Sequence, residues 1–227
     1  IADHSGVEYW FRENAMVRPL DCVYHLAARA SIIPSVQNPQ LYHNVNVTGT
    51  LNILEMVRRY NIPRFVYAAS GSCYGIPAEL PTTELCLVKP LYPYALAKWM
   101  GEQWALHFGN LYGFGVVSLR LFNVFGPRMC LSGGYGGLFS IILPQKFNSQ
   151  PVVTIGNGSQ RRDFVEVSDA ARAFVLAGRH TEVRDQVFNI GQGDSISINE
   201  ILQLLGIEQT NLRRLPERPG EPLETRA

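Results

Sequence analysis

The sequence has no apolar run long enough to span a bilayer; its longest runs are short and broken by polar residues, so no membrane span is expected. It has no excess of either charge. Lys and Arg number 20 against 19 Asp and Glu, a net of +1, and no basic stripe or acidic tail points to nucleic acid or a membrane surface. It has no C-x-x-C pair. Cys22, Cys73, Cys86 and Cys130 are irregularly spaced and read as reduced thiols of a cytoplasmic protein, with no metal-ligand spacing around them. No signal-peptide pattern stands at its head. The chain opens at Ile1 without a methionine and stops at Ala227 after a proline-rich segment, so a piece of a longer chain is expected.

What is there is a globular composition. Hydrophobic residues make up 46% of 227 and charged residues 17%, which allows a sizeable core in one large or two small domains. DCVYHLAA (Asp21–Ala28) reads as a buried parallel strand. A helix follows, with Leu41, Val45, Leu51, Leu54 and Val57 near helical spacing, Pro39 near its start and Arg58 and Arg59 near its end. RFVYAAS (Arg64–Ser70) is a second strand, a proline-rich loop follows, and a helix from about Tyr94 to Tyr112 closes on Gly113. VVSLRLFN (Val116–Asn123) is a third strand. This alternation predicts an α/β fold with a parallel, doubly wound sheet. Beyond it lie a glycine-rich loop, helices near Leu138–Phe147, Val167–Gly178 and Ser197–Leu205, and strands PVVTI and QVFNI, read as a smaller mixed lobe. The division expected is 1–123 and 124–227, with 165–191 returning to the sheet.

In open α/β sheets, ligands bind beyond the carboxyl ends of the strands. Ser70 and Asn123 end two strands there, and Tyr94 and Lys98, in YPYALAK, begin the helix after the loop. A free tyrosine, with a pKa of about 10, is a poor base at neutral pH. An ammonium one turn away on the same helix face favours its phenolate. With a serine hydroxyl on the same substrate oxygen, the pair can draw a proton from an alcohol while hydride leaves its carbon. The hydride needs an acceptor no side chain supplies, so a nicotinamide cofactor is implied. His25 is expected to be a packed core histidine, not a ligand, because no second ligand is spaced to join it.

VYHLAA, NVNVTGT, YAASGSCYG, PLYPYALAK, LRLFNVFGP and RRDFVEVSDAARA stand here in the order found in extended short-chain dehydrogenases. The chain resembles their NAD-dependent sugar-nucleotide epimerase/dehydratase family, over roughly residues 1 to 222, and within it the UDP-glucose 4-epimerases. That resemblance implies NAD as cofactor, a UDP-sugar or other nucleoside-diphosphate sugar as substrate, and a homodimer built on the helices near Leu41–Tyr60 and Tyr94–Tyr112. It implies Tyr94 as base, Lys98 lowering its pKa and holding the nicotinamide ribose, and Ser70 polarising the reacting hydroxyl. Leu26, Ala27, Ala28 and Ala30 would line the cofactor, with Asn46 and Phe122 near the nicotinamide. Asn123 and Arg162 would take the diphosphate, the arginine through charge-assisted bonds. Arg218 and Glu221 match a segment reaching the nucleotide ribose and phosphate.

Gly71 and Ser72 stand where 4,6-dehydratases carry an Asp-Glu pair, and Ser72 where decarboxylases carry a Glu. Without those acids neither elimination nor decarboxylation is well served, and reversible oxidation at one carbon remains, with Ser72 near the substrate. A related dehydratase or reductase, or an inactive fragment, stays open. Two departures from the family pattern stand out. Tyr92 replaces a small hydroxyl residue, and the glycine motif that cradles pyrophosphate at a helix N-terminus is absent. The motif is expected upstream of Ile1, with on the order of 60 residues of βαβ structure. The chain alone is expected to bind NAD poorly and to be inactive.

Overall fold

The structure is a computed structural model that describes residues 1–15, 18–131, 137–217 and 221–227. In chain order the elements are α1 (His4–Ala15), β1 (Val23–His25), α2 (Ile32–Gln37), α3 (Pro39–His43), a π turn (Asn44–Thr48), α4 (Gly49–Arg59), β2 (Arg64–Ser70) and α5 (Pro93–Tyr112). There follow β3 (Gly115–Leu121), β4 (Asn123–Phe125), α6 (Gly137–Phe147), β5 (Val152–Ile155), β6 (Arg161–Arg162), β7 (Phe164–Glu166) and α7 (Val167–Arg179). The last are β8 (Gln186–Ile190), β9 (Ile196–Ser197), α8 (Ile198–Leu204), β10 (Leu212–Leu215) and β11 (Glu224–Thr225).

Two compact units result. The first comprises Ile1–Cys73, Pro90–Leu121 and Ala171–Asn189. Its sheet has the order β1-β2-β3-β8, with β1 parallel to β2 and β2 parallel to β3. β2 is buried from Arg64 through Ala69, the continuous apolar run of a strand covered on both faces. Arg64 is tolerated there because its guanidinium donates to the carbonyls of Ala177, His180 and Val183. The core gathers Leu54, Met56 and Val57 of α4, Phe65 and Tyr67 of β2, Ala105 of α5 and Val116 of β3. α5 begins with Pro93 in its first turn and ends where Gly113, at φ 81°, donates its N–H to the Gly109 carbonyl at 2.8 Å.

The second unit comprises Tyr74–Lys89, Phe122–Ala170 and Ile190–Ala227. Its pairings are short: β4 with β7, β5 with β10, and β6 between β9 and β11. Ile142, Val152, Ile198, Ile201 and Leu202 form its core. Asp163 is fully buried, and its carboxylate accepts from the N–H groups of Gln192 (2.6 Å), Gly193 (3.1 Å) and Ala227 (3.0 Å). A Cβ at Gly191 would lie 2.6 Å from that carboxylate, so only glycine fits beside it.

Three details depart from the expected elements. The strand predicted over Asp21–Ala28 keeps only Val23–His25, paired with Phe65–Tyr67, and the chain from Leu26 runs outside the sheet. The third strand stops at Leu121, and Asn123–Phe125 pairs with β7 instead. The helix after Pro39 carries a π turn, in which Gly49 donates to Asn44.

Candidate active site

Ser70 ends β2, and a 3₁₀ turn, Gly71–Tyr74, follows it. Its Oγ lies 2.8 Å from Ser72 Oγ and accepts from the Ser72 N–H at 3.2 Å. The same side chain hydrogen-bonds Tyr94, one residue into α5. The Tyr94 phenol is pushed above its ordinary pKa by burial, pulled down by Ser70, and pushed up again by Tyr42. Tyr42 of α3 meets it edge to face, 6.4 Å between centroids at 85°, and donates its hydroxyl to the Ala30 carbonyl.

Lys98 is 4% exposed, with Nζ 4.4 Å from the centre of the Tyr67 ring. Burial brings its pKa down to about 7, while Glu102 pulls the other way. The lysine was expected to hold Tyr94 down; in the structure that downward pull comes from Ser70, and Lys98 itself is poised to lose its proton near neutrality. Tyr67 donates its hydroxyl to the Lys98 carbonyl at 3.1 Å, which fixes the turn that carries the lysine.

A buried polar chain supports this group. His25 Nε2 lies 3.0 Å from Thr50 Oγ1, and Thr50 donates to the Asn46 carbonyl at 2.7 Å. Burial, reinforced by the Lys98 charge, lowers the His25 pKa to about 3, so the ring is neutral. No cluster of three possible metal-ligating side chains occurs among the described residues. Asn46 lies in the π turn, buried, and holds the main chain of Arg29. That fixes the segment Leu26–Ala30, where Leu26 and Ala27 are exposed and Ala28 and Ala30 are half-buried. An accessible backbone with small side chains at a strand's carboxyl end fits a flat dinucleotide.

In the second unit Phe122 is half-buried, and its N–H bonds the Ile190 carbonyl at 2.9 Å. Asn123 donates from Nδ2 to the Asp163 carbonyl at 2.9 Å. Arg162 donates to the carbonyls of Arg161 (2.8 Å) and Pro222 (2.9 Å), and from Nη2 to Glu221 Oε1 at 2.7 Å. Arg218 lies outside the described residues. Thus Ser70, Ser72 and Tyr94 come together in one unit, and Arg162 and Glu221 in the other. Sequence reasoning passed over Tyr42, Thr50, Tyr67, Glu102 and Arg120. Two of these carried a readable signal: Thr50 stands four residues after Asn46, and Glu102 four after Lys98, one helical turn each.

The chain with this parallel sheet belongs to the NAD dependent epimerase/dehydratase family, by a match over residues 10–191. The UDP-glucose 4-epimerase of Mycolicibacterium smegmatis is 35% identical over 182 residues, which are 80% of this chain and 58% of that protein. The UDP-glucose 4-epimerase of Thermotoga maritima, solved with UDP-glucose, superposes with a TM-score of 0.91 at 30% identity, over 99% of this chain and 72% of that one. That of Thermus thermophilus, solved with NAD, gives 0.86 at 32% identity, over 99% and 73%. The chain thus spans about three fifths of the length of its curated relative. Its fold is the Rossmann-like one of these epimerases, and NAD is the family's cofactor.

Proposed function

We propose that this is a cytoplasmic NAD-dependent epimerase of carbohydrate metabolism that inverts C4 of a nucleoside-diphosphate sugar, in the manner of UDP-glucose 4-epimerase, through a 4-keto sugar. The observation that carries the reading is the Tyr94 phenol bonded to Ser70 at the end of β2, with Lys98 one turn on and Gly71 and Ser72 supplying no carboxylate.

NAD, when bound, supplies a reversible acceptor for the hydride on C4. Leu26, Ala27, Ala28 and Ala30 would line its place and Asn46 would stand on its nicotinamide side, the role the family resemblance also gives Phe122. Lys98 would donate to its ribose. Tyr94 takes the proton of the C4 hydroxyl and returns it after the sugar has turned, and Ser70 holds the same oxygen. Ser72 keeps the Ser70 hydroxyl oriented. Asn123 and Arg162 hold the diphosphate, and Arg218 and Glu221 the nucleotide ribose and phosphate. Glu221 already neutralises part of the Arg162 charge, so a dianionic ligand must share or displace it.

A dehydratase or reductase of a related sugar nucleotide is the competing reading, and the lack of an acid beside Ser70 disfavours the dehydratase. Product analysis of the full-length protein with NAD and UDP-glucose, UDP-galactose or their N-acetyl forms separates them. Interconversion at C4 is expected; a deoxy or decarboxylated product, or none, refutes the assignment. The working form is a homodimer. α5 exposes Leu96, Trp104, Leu111 and Tyr112, an apolar face that a second copy would cover. Light scattering giving the mass of a single chain would refute the dimer.

A further inference from the structure

Glu102 is 1% exposed on α5, one helical turn beyond Lys98. Its carboxylate is nearly saturated. Oε2 accepts from Ser118 Oγ at 2.9 Å and Arg120 Nε at 3.0 Å, and Oε1 from Arg120 Nη2 at 2.6 Å. Both donors stand on β3, the strand beside the one that carries Ser70. Ser118 is fully buried and Arg120 is 5% exposed. A buried ion pair is a weak source of stability, since desolvating two charges offsets most of their attraction. Its retention beneath the site calls for another reason.

The charges around Lys98 supply one. Among the titratable groups on the elements packed about it are His25 on β1, Arg64 and Tyr67 on β2, Tyr42 on α3, Cys73 after β2, Arg120 on β3, Glu55 on α4, and Tyr94 and Glu102 on α5 itself; the Arg64 guanidinium is taken up by the Ala177, His180 and Val183 carbonyls. His25 is neutral at working pH, burial keeps Tyr67 and the Cys73 thiol protonated, the latter pushed up to about 12, and burial raises the Tyr94 phenol while Ser70 pulls it back. Glu55 is held by Arg58 on the outer side of α4. Among these groups Glu102 is left as the buried anion, on the helix face of Lys98.

We propose that Glu102, clamped by Ser118 and Arg120, is the positioning and counter-charge residue of Lys98. It fixes the rotation of α5 through three bonds to β3, and so the direction in which Lys98 leaves the helix. Its negative charge opposes the pull of burial on the lysine's proton and so favours the ammonium that donates when a ligand arrives. Arg120 makes the buried carboxylate tolerable. This rests on the reading of Lys98 as a cofactor-side donor.

The test is the Glu102→Gln/Arg120→Gln double variant, which removes both charges and leaves no orphan cation. Circular dichroism reports its folding. Heteronuclear NMR on isotope-labelled lysine follows the Lys98 titration, assigned through Lys98→Met. A Lys98 midpoint moved to lower pH, with Glu102→Asp staying near the wild-type value, supports the proposal. An unmoved midpoint in the folded variant overturns it. If the double variant fails to fold, Ser118→Ala, which frees one lone pair of the carboxylate, is titrated in its place, and an unmoved midpoint there overturns it equally. Sugar-nucleotide turnover is read separately. A moved midpoint in a protein that never epimerises supports the Glu102–Lys98 relationship while the functional reading fails. An unmoved midpoint in an active epimerase overturns the relationship and leaves that reading intact.

Discussion

Asn46 grips the main chain of Arg29 from both sides: Oδ1 accepts the Arg29 N–H at 2.7 Å, and Nδ2 donates to the Arg29 carbonyl at 2.9 Å. The amide thus replaces the strand pairing that β1 gives up at His25. Asn46→Ala orphans both backbone groups and should cost about 1–3 kcal/mol. Hydrogen exchange at the Arg29 amide should quicken, and NAD affinity should fall. Exchange as slow as in the wild type would refute the clamp.

Gly101 is the contact point between α5, β2 and the π turn. A Cβ there would lie 2.3 Å from the Tyr67 hydroxyl and 3.2 Å from the Asn46 carbonyl oxygen, and the latter is backbone. Gly101→Ala should therefore destabilise by about 1–3 kcal/mol, as overpacked cores do. Denaturant unfolding measures this, and a variant as stable as the wild type would show that α5 sits further out.

Stability should depend on pH in two windows. His25 titrates at about 3 when folded against 6.5 for a free histidine, so the unfolded chain binds the extra proton and stability is lost as pH falls from 6.5 to 3. Lys98 titrates at about 7 against 10.5, so for the same reason stability rises with pH above 7. The buried Cys73 thiol, about 12 against 9.0, acts in the opposite sense above 9 and limits that rise to pH 7–9. Each group contributes a slope of at most about 1.4 kcal/mol per pH unit. Thermal melts of Lys98→Met should lack the rise between pH 7 and 9, and those of His25→Gln should be flatter in acid.

Tyr94→Phe should lower sugar-nucleotide turnover by at least ~10²-fold in the full-length protein. Ser70 is the group that draws the Tyr94 pKa down, so Ser70→Ala should also move the alkaline rise of kcat to higher pH. A pH–rate profile that keeps its wild-type midpoint would remove Ser70 from this role.

Much of the first unit was legible because its signals are local. β2 is an apolar run ahead of a turn, and α5 is bracketed by Pro93 and Gly113. The limits of β1 were not legible, because His25-Leu26-Ala27 is as apolar as a strand and only pairing ends it. The partner change at Phe122 was hidden for the same reason: Asn123 takes β7 through long-range bonds that leave no mark on composition. The site was read as Ser70 at a strand end with Tyr94 and Lys98 on the helix after the loop. Its electrostatics lie across strands: Glu102, Ser118 and Arg120 look like ordinary polar residues until the sheet brings them together in the interior.

The second unit draws on three separate stretches of chain, as does the first, so the polypeptide passes from one to the other five times. Neither unit can be cut out as a gene segment or grafted elsewhere as a cassette. Assembly must also wait. The carboxylate of Asp163 cannot be satisfied before residues some 30 and 64 positions downstream have been made. During synthesis that buried acid is an open donor-seeking group on an unfinished chain. Closing such distant loops is entropically costly and slow. The protein should be most vulnerable to proteases and aggregation while it is still emerging, and a chaperone that shields the nascent second unit should raise its yield more than any change to the finished surface.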